Sequence, residues 1–480
     1  MNYEAVIGLE VHVELATESK LFCSCSAKFG AGANEHVCPA CMGMPGLPPV
    51  TNRAAVELGI KAGLVTNCEI SRYTAFDKKN YYYPDLPAGY QITQMFHPIC
   101  KNGYVDVSTN AGEKRIRIKQ MHIEEDAGKL VHDARMGYSL VDFNRTGVPL
   151  VEIVSMPDFN SADEVVAYLE KLKSLLSFAG VSDCKMQEGS MRADINISIR
   201  EKGSSGLGIR TEMKNMNSLK AIRRAIEYEV NRHIDALETG FEELVQETRR
   251  WDDGKNQSFS MRNKEDATDY RYFPNAELMP IVIDGEWINR VLENMPEPAN
   301  SKYARYMSDY GLPEQDCRAL TSAKALADAF DGTVQCGSPP KEAANWILVE
   351  LINLAKSDGV NTDDVRVDSE KLAKLIGMVD EKTVNRTVAK EIFAEIYRNG
   401  TDPAEYAEKH KLGMVSDEGM LLVAAKQAIA ENPGPASEYR EGNKKALGFF
   451  MGLVMRKTGG KADPAVANGI LKKLLDQNDA

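Results

Sequence analysis

Val6-Ile7-Gly8-Leu9-Glu10-Val11-His12-Val13-Glu14-Leu15 decides how the first half of this chain is read. The run alternates strictly. Leu9, Val11, Val13 and Leu15 share one side of a strand, and Glu10, His12 and Glu14 share the other. Two carboxylates and an imidazole opposite an apolar face supply hard oxygen and nitrogen ligands for a divalent cation, provided the polar face lines a cleft. Taken alone, the pattern equally describes a half-buried strand whose polar face is solvated. The rest of the chain has to decide between the two.

Working outward, acidic residues recur on further strand-like runs. Met121-His122-Ile123-Glu124-Glu125-Asp126 closes one, and Glu152 interrupts the apolar stretch Val148–Val154. Arg192, Asp194, Asn196 and Ser198 share a face opposite Ala193, Ile195, Ile197 and Ile199, and Glu212 lies in Arg210–Asn215. A carboxylate inside an apolar strand costs roughly several kcal/mol unless it is paired or bound to a cation. Each such group singly suits a salt bridge. Five strands carrying them suggest one shared acidic cleft. Alternation alone does not choose between Glu124 and Glu125.

Cys23-Ser24-Cys25 and Cys38-Pro39-Ala40-Cys41 are two close thiol pairs. Such pairs suit tetrahedral zinc, each clamping two corners while the loop between them closes. Four soft ligands leave no open position, so the site is expected to be structural. The first pair is tighter than the usual knuckle spacing; four free thiols are the alternative. Cys68, Cys100, Cys184, Cys317 and Cys336 are scattered and read as plain thiols.

At 480 residues the chain exceeds one core, and two to four domains are expected. Hydrophobic residues make up 43% and charged residues 27%, which is the balance of a soluble globular protein. Met1-Asn2-Tyr3-Glu4 has neither the basic nor the apolar region of a signal peptide, and no apolar run reaches membrane-spanning length. Nine cysteines, four of them clustered, fit a reducing cytoplasm better than a disulfide framework. The net charge of −12 opposes nucleic-acid binding over the whole surface but leaves room for a local basic face. Between Glu438 and Lys473 eight lysines and arginines stand against three acids, with Lys444, Lys445, Lys472 and Lys473 among them.

Period-two runs dominate up to about residue 290, with strands expected near 115–123, 150–155, 193–200 and 209–213. Two helices are expected to interrupt them. One opens at Ser161 with Glu164 three residues on and stops at Gly180; the other runs from about Ser218 to Leu237 and stops before Gly240. Helical patterns take over from about residue 295, and Asp463-Pro464 opens the last helix. The fold expected is therefore an α+β domain with a mainly antiparallel sheet, then an all-α domain and a small all-α tail. There is no phosphate-binding loop and no dinucleotide fingerprint. Gly203-Ser204-Ser205-Gly206 reads as a hairpin connection rather than a nucleophile loop. Asp77–Asp85 and Asp269–Pro274 interleave tyrosines with lysine or arginine, which suits stacking on bases and holding phosphates as well as it suits packed corners.

Taken together these segments resemble the B subunits of the aspartyl/glutamyl-tRNA amidotransferases over essentially the whole chain. The matching strings include Val6–Leu15, Lys79–Asp85, Gly89–Gln94, His122–Lys129, Ser139–Arg145, Pro149–Ser155, Gly189–Ser198, Glu212–Ser218, Gln246–Trp251, Asp269–Pro274 and Ala446–Leu475. The resemblance implies a ligase that is a heterotrimer. An amidase-type A subunit hydrolyses glutamine, and the ammonia travels to the B subunit. There ATP phosphorylates the side-chain carboxylate of mischarged Glu-tRNA(Gln) or Asp-tRNA(Asn), and ammonia displaces the phosphate. A small C subunit wraps the interface. The resemblance implies a cradle-like catalytic domain over 1–293 with a zinc insertion near 20–45, a helical domain over 294–405 and a tRNA-contacting tail over 406–480. It places magnesium ligands at Glu10, His12, Glu125 and Glu152, with Asp194 and Glu212 lining the cradle, structural zinc at Cys23, Cys25, Cys38 and Cys41, and tRNA at the four tail lysines. A carboxylate kinase without a phosphate loop needs such a cation against the γ-phosphate. Asn275-Ala276-Glu277 departs from the Glu-Pro-Asp common in relatives: a carboxylate is kept and a proline lost. Two other classes fit parts of the sequence. A zinc-stabilised RNA-binding protein is opposed by the acidic strands. A ligase acting on a free metabolite is opposed by the basic tail.

Overall fold

A computed structural model describes residues 3–133, 137–263, 270–413 and 418–476. Asp269, part of one family string, lies outside the described residues. The chain forms two compact units, Met1–Pro298 and Ala299–Ala480. The first is built on sheet and the second on helices, which is the expected α+β then all-α arrangement. No described helix is long and apolar enough to cross a membrane.

The first unit is organised by a nine-stranded sheet, antiparallel except where Thr211–Lys214 runs parallel to Glu247–Asp252. Five neighbouring strands carry the polar groups singled out above. They are β1 (Tyr3–Glu14), β2 (Gly112–Glu125), β3 (Pro149–Ser155), β4 (Met191–Glu201) and β5 (Thr211–Lys214), in the spatial order β5-β4-β1-β3-β2. On one face Leu9, Val11 and Val13 join Ile123, Val151, Ile153, Ala193, Ile195 and Ile197 in a single buried core. The opposite face is polar, as the alternation requires.

Helix α1 (Arg53–Val65), helix α2 (Ala162–Phe178) and helix α3 (Leu219–Thr239) feed that core. Ser161 caps α2 by accepting from the Glu164 N–H, as expected, but the Glu164 carboxylate accepts from the Asn160 N–H rather than returning to Ser161. The Val165, Leu169, Leu172 and Leu176 stripe is fully buried. Ser218 caps α3 and Gly240 ends it at φ +64°, in the left-handed region. Helix α1 was not expected. Its Gly59 and Gly63 weaken the helical signal, yet both serve close packing: a Cβ at Gly59 would stand 2.9 Å from Ile123 Cδ1.

Among its described residues the second unit holds two hydrophobic clusters, one drawn from Tyr306 to Ala407 around Trp346 and Phe393, the other from Leu421 to Leu475 around Phe450. Asp463 accepts from the Ala465 and Val466 N–H groups and starts the final helix, Pro464–Asp476.

Candidate active site

The register of the sheet assembles the polar face. His122 pairs with Glu152, Glu152 with His12, and His12 with Arg192, so one lateral row crosses β2, β3, β1 and β4. Two residues along, Glu10 pairs with Asp194, and in the row beyond that Asn196, opposite Gly8 on β1, pairs with Glu212 on β5. Directly paired residues put their side chains on the same side of a sheet. All of these except Gly8 and Asn196 line a cavity of about 680 Å³, together with Lys79, Tyr81, Glu124, Lys214, Tyr270 and Tyr272.

Ligand atoms of His12, Glu124 and Glu152 lie within 4.8 Å of one another, a spacing that could hold a metal ion. His12 Nε2 stands 3.6 Å from Glu124 Oε1, whose other oxygen accepts from Thr93 Oγ1 at 3.2 Å. His122 Nδ1 stands 3.6 Å from Glu152 Oε2, while its Nε2 meets Gln120 Nε2 at 2.7 Å. Burial pushes the Glu152 carboxyl up to about 8, helped by the charges of Glu124 and Glu10. Glu124 is raised too, first by burial. Burial, with the nearby Arg192 and Lys214 charges, pulls His12 down to about 3, so its imidazole is neutral. Together these groups form a neutral ring and two carboxyls that resist ionising without a cation.

Glu125 is not part of this group: the structure brings Glu124, rather than Glu125, beside His12 and Glu152. With the pleat alternating, His122 and Glu124 reach the cradle and Glu125 does not. Glu125 Oε1 accepts from the Ile92 N–H at 2.9 Å, and its side chain lines a separate cavity of about 270 Å³ with Lys20, Cys41, Gly147 and Glu277. Glu10 lies on the cradle wall but outside the converging trio, and accepts from Asn196 Nδ2 at 3.1 Å. Asp194 and Glu212 also line the wall, but both pair with the ammonium of Lys214, 3.0 Å from Glu212 Oε1. Glu212 further accepts from Thr248 Oγ1 at 2.8 Å.

Of the cradle's cations, Lys214 has no role in the sequence reading, whereas Arg192 falls on the polar face and Lys79 in a phosphate-suited stretch. Lys214 bridges two carboxylates, and Arg192 holds Asp126 at 2.7 Å. Lys79 sits 4.9 Å from the Tyr270 ring centre and 5.8 Å from that of Tyr81. Burial works against its charge, but the carboxylate of Glu124 and the neighbouring groups more than offset this and raise its pKa. Lys79 lies in the strand Tyr73–Asn80, whose sequence does not alternate and whose register shifts between Ala75 and Asp77, so periodicity gives no signal for it. Glu277, the departure noted above, pairs with Lys78 at 2.7 Å.

Cys23, Cys25, Cys38 and Cys41 bring their sulfurs within 4.8 Å of one another, close enough to hold a metal ion. The Cys38 N–H donates to Cys41 Sγ at 3.1 Å, a turn that presents both sulfurs to one point. Lys444, Lys445, Lys472 and Lys473 are all exposed; Lys444 lies 3.9 Å from the Tyr439 ring centre and 3.5 Å from Asp476 Oδ1.

Residues 5–289 match the family model described as the GatB/GatE catalytic domain, and residues 328–475 match that of the GatB domain. The chain is 52% identical to the B subunit of the aspartyl/glutamyl-tRNA(Asn/Gln) amidotransferase from Lachnoclostridium phytofermentans, over 99% of each chain. It is 51% identical to the protein of that name in Agathobacter rectalis, over 99% of this chain and 100% of that one. For the one in Thermodesulfovibrio yellowstonii the figure is 46%, over the same shares. Identity of this order along the whole length, on top of both family domains, means that the chain belongs to the family of aspartyl/glutamyl-tRNA(Asn/Gln) amidotransferase B subunits.

Proposed function

We propose that the chain works as the B subunit of a tRNA-dependent amidotransferase and activates the side-chain carboxylate of mischarged Glu-tRNA(Gln), Asp-tRNA(Asn) or both. The convergence of His12, Glu124 and Glu152 on one point of a large polar cavity carries this reading. A divalent cation such as magnesium, held by those three side chains, supplies the charge neutralisation that a polyphosphate needs there. Lys79 offers a second positive charge in the same wall, backed by the Tyr81 and Tyr270 rings. Lys214 offsets one of the two negative charges of Asp194 and Glu212, so these acids repel an incoming phosphate less. Gln120 orients His122, which in turn faces Glu152 and fixes its position.

The remaining roles follow from the family. An A subunit releases ammonia from glutamine, a C subunit completes the complex, and the exposed lysines of the tail touch tRNA. ATP is the phosphate donor, and the reaction belongs in the cytoplasm. Three hydrophobic clusters among the described residues support a division into a cradle, a helical domain and a tail, although Ala407 packs with the second cluster rather than the third. Zinc in the four-cysteine cluster is structural, because four thiolates leave no coordination position for substrate.

In the reconstituted complex, Glu124→Gln and Glu152→Gln are expected to lower formation of phosphorylated Glu-tRNA from γ-labelled ATP by about two orders of magnitude. Glutamine hydrolysis, whose nucleophile lies on the other chain, should continue. Normal phosphorylation with amide formation blocked would move these carboxylates to the ammonia step and sink the metal assignment.

A further inference from the structure

Lys20 has no exposed surface, yet among the described residues no carboxylate oxygen lies within ion-pair distance of its ammonium. Nζ instead stands 3.6 Å from Cys41 Sγ and 3.3 Å from the Phe143 carbonyl oxygen. A buried ammonium is costly unless an opposite charge matches it. Glu125 lines the same cavity and its carboxyl feels the Lys20 charge, but not at ion-pair distance; a zinc ion with four thiolates, of net charge about −2, would place its negative charge directly against the ammonium at Cys41.

The backbone around Lys20 ties two places together. Its N–H donates to the Cys25 carbonyl at 2.9 Å, inside the first cysteine pair, and the Leu21 N–H donates to the Gly147 carbonyl at 2.8 Å. Gly147 has φ +80°, and a Cβ there would stand 3.6 Å from Lys20 Cδ and 3.8 Å from Cys41 Cβ. The Gly147 N–H in turn donates to the Asp126 carbonyl at 2.9 Å. Arg145, two residues before, donates to the carbonyls of Ala127 and Gly128 at 3.0 and 2.9 Å and faces the Asp126 carboxylate at 3.3 Å. Residues 143–147 therefore clasp the chain immediately beyond Glu124 and Glu125.

We propose that Lys20 is the counter-charge of the four-cysteine centre and its strut to the 143–147 loop, so that metal bound there firms the end of the strand carrying Glu124. Lys20 is thus a positioning residue, distant from the reacting atoms. This rests on reading the four cysteines as a zinc site. Partners just outside a metal's own ligands typically tune affinity by about 10- to 100-fold.

The test uses the full-length chain and zinc, with competition against a chromophoric chelator and hydrogen exchange at the Gly147 amide. Lys20→Met keeps the length of the side chain and removes its charge; Lys20→Arg keeps the charge. Expected are zinc binding weaker by about 10-fold or more in Lys20→Met and within about threefold of wild type in Lys20→Arg. Stripping zinc from the wild type should speed exchange at Gly147, an arm that needs no variant. Wild-type chain that binds no zinc would overturn both the zinc reading and this inference. Zinc held equally by wild type and Lys20→Met, or exchange at Gly147 indifferent to zinc, would overturn the role of Lys20 alone.

Discussion

At the scale of single residues, Glu152 shows what the cradle is strained against. Its carboxyl is raised from 4.5 to about 8, chiefly by burial. The folded state then holds a proton that the unfolded chain releases, so this group favours the fold below pH 4.5, and that contribution is lost as pH rises toward 8. Each tenfold change in proton affinity is worth about 1.4 kcal/mol, so the loss is on the order of a few kcal/mol. Without divalent cation, the unfolding temperature should fall between pH 5 and 8, and Glu152→Gln should flatten that slope. A slope unchanged in the variant would show that Glu152 titrates normally. Glu124 and Glu125 give a sharper contrast. Mn2+ binding followed by electron paramagnetic resonance should be lost in Glu124→Gln and kept in Glu125→Gln, because only Glu124 reaches His12. The reverse result would restore the choice made from the family resemblance.

At the scale of elements, α3 shows how a polar network can be placed inside a core. Glu229 is fully buried, and it accepts from Arg232 Nε at 2.9 Å and Ser258 Oγ at 2.9 Å, with His233 Nε2 at 3.3 Å. Burial acts to raise its pKa, but the hydrogen bonds from His233 and Arg232 outweigh it and hold the group at about 2. The pair therefore stabilises the folded chain above the unfolded value of 4.5 and loses that contribution as pH falls toward 2. Glu229→Gln removes the fully buried partner of Arg232, which keeps Glu242 and the more distant Glu247, and should cost about 3 kcal/mol in urea unfolding at pH 7. Ser218→Ala, which removes only the helix cap, should cost about 1 kcal/mol. If the two variants cost the same, the buried network adds nothing beyond an ordinary hydrogen bond.

At the scale of the whole molecule, an acidic chain presents a basic tail. The four exposed lysines lie at the start of helix Ala446–Lys457, where Lys444 and Lys445 precede it, and in the last turns of helix Pro464–Asp476. Replacing Lys444, Lys445, Lys472 and Lys473 by Glu should weaken tRNA binding and flatten its salt dependence, since each phosphate contact releases counterions. Glutamine hydrolysis by the complex should persist. Unchanged tRNA affinity across a salt series would mean that these lysines only solvate a helix surface. The charge of −12 stays compatible with tRNA binding because the basic residues are gathered rather than spread.

What the sequence determined by itself was whatever depends on local periodicity. Strict alternation over residues 6–15 set the two faces of β1, and Ser161, Ser218 and Asp463 marked helix starts that the backbone obeys. The cysteine spacing foretold that four sulfurs would meet. Long-range register lay beyond such reading. Which of Glu124 and Glu125 enters the cradle depends on the phase in which β2 joins β3, and a shift of one residue exchanges the faces. Pairing of Lys214 with both Asp194 and Glu212 depends on how β4 and β5 lie together. Helix α1 escaped notice because Gly59 and Gly63 lower intrinsic propensity, and only the packed sheet beneath it restores the balance. A buried lysine beside Cys41 carries no local signal at all, since its burial is decided by chain segments more than a hundred residues apart, and charge matching across such distances is a property of the assembled fold alone.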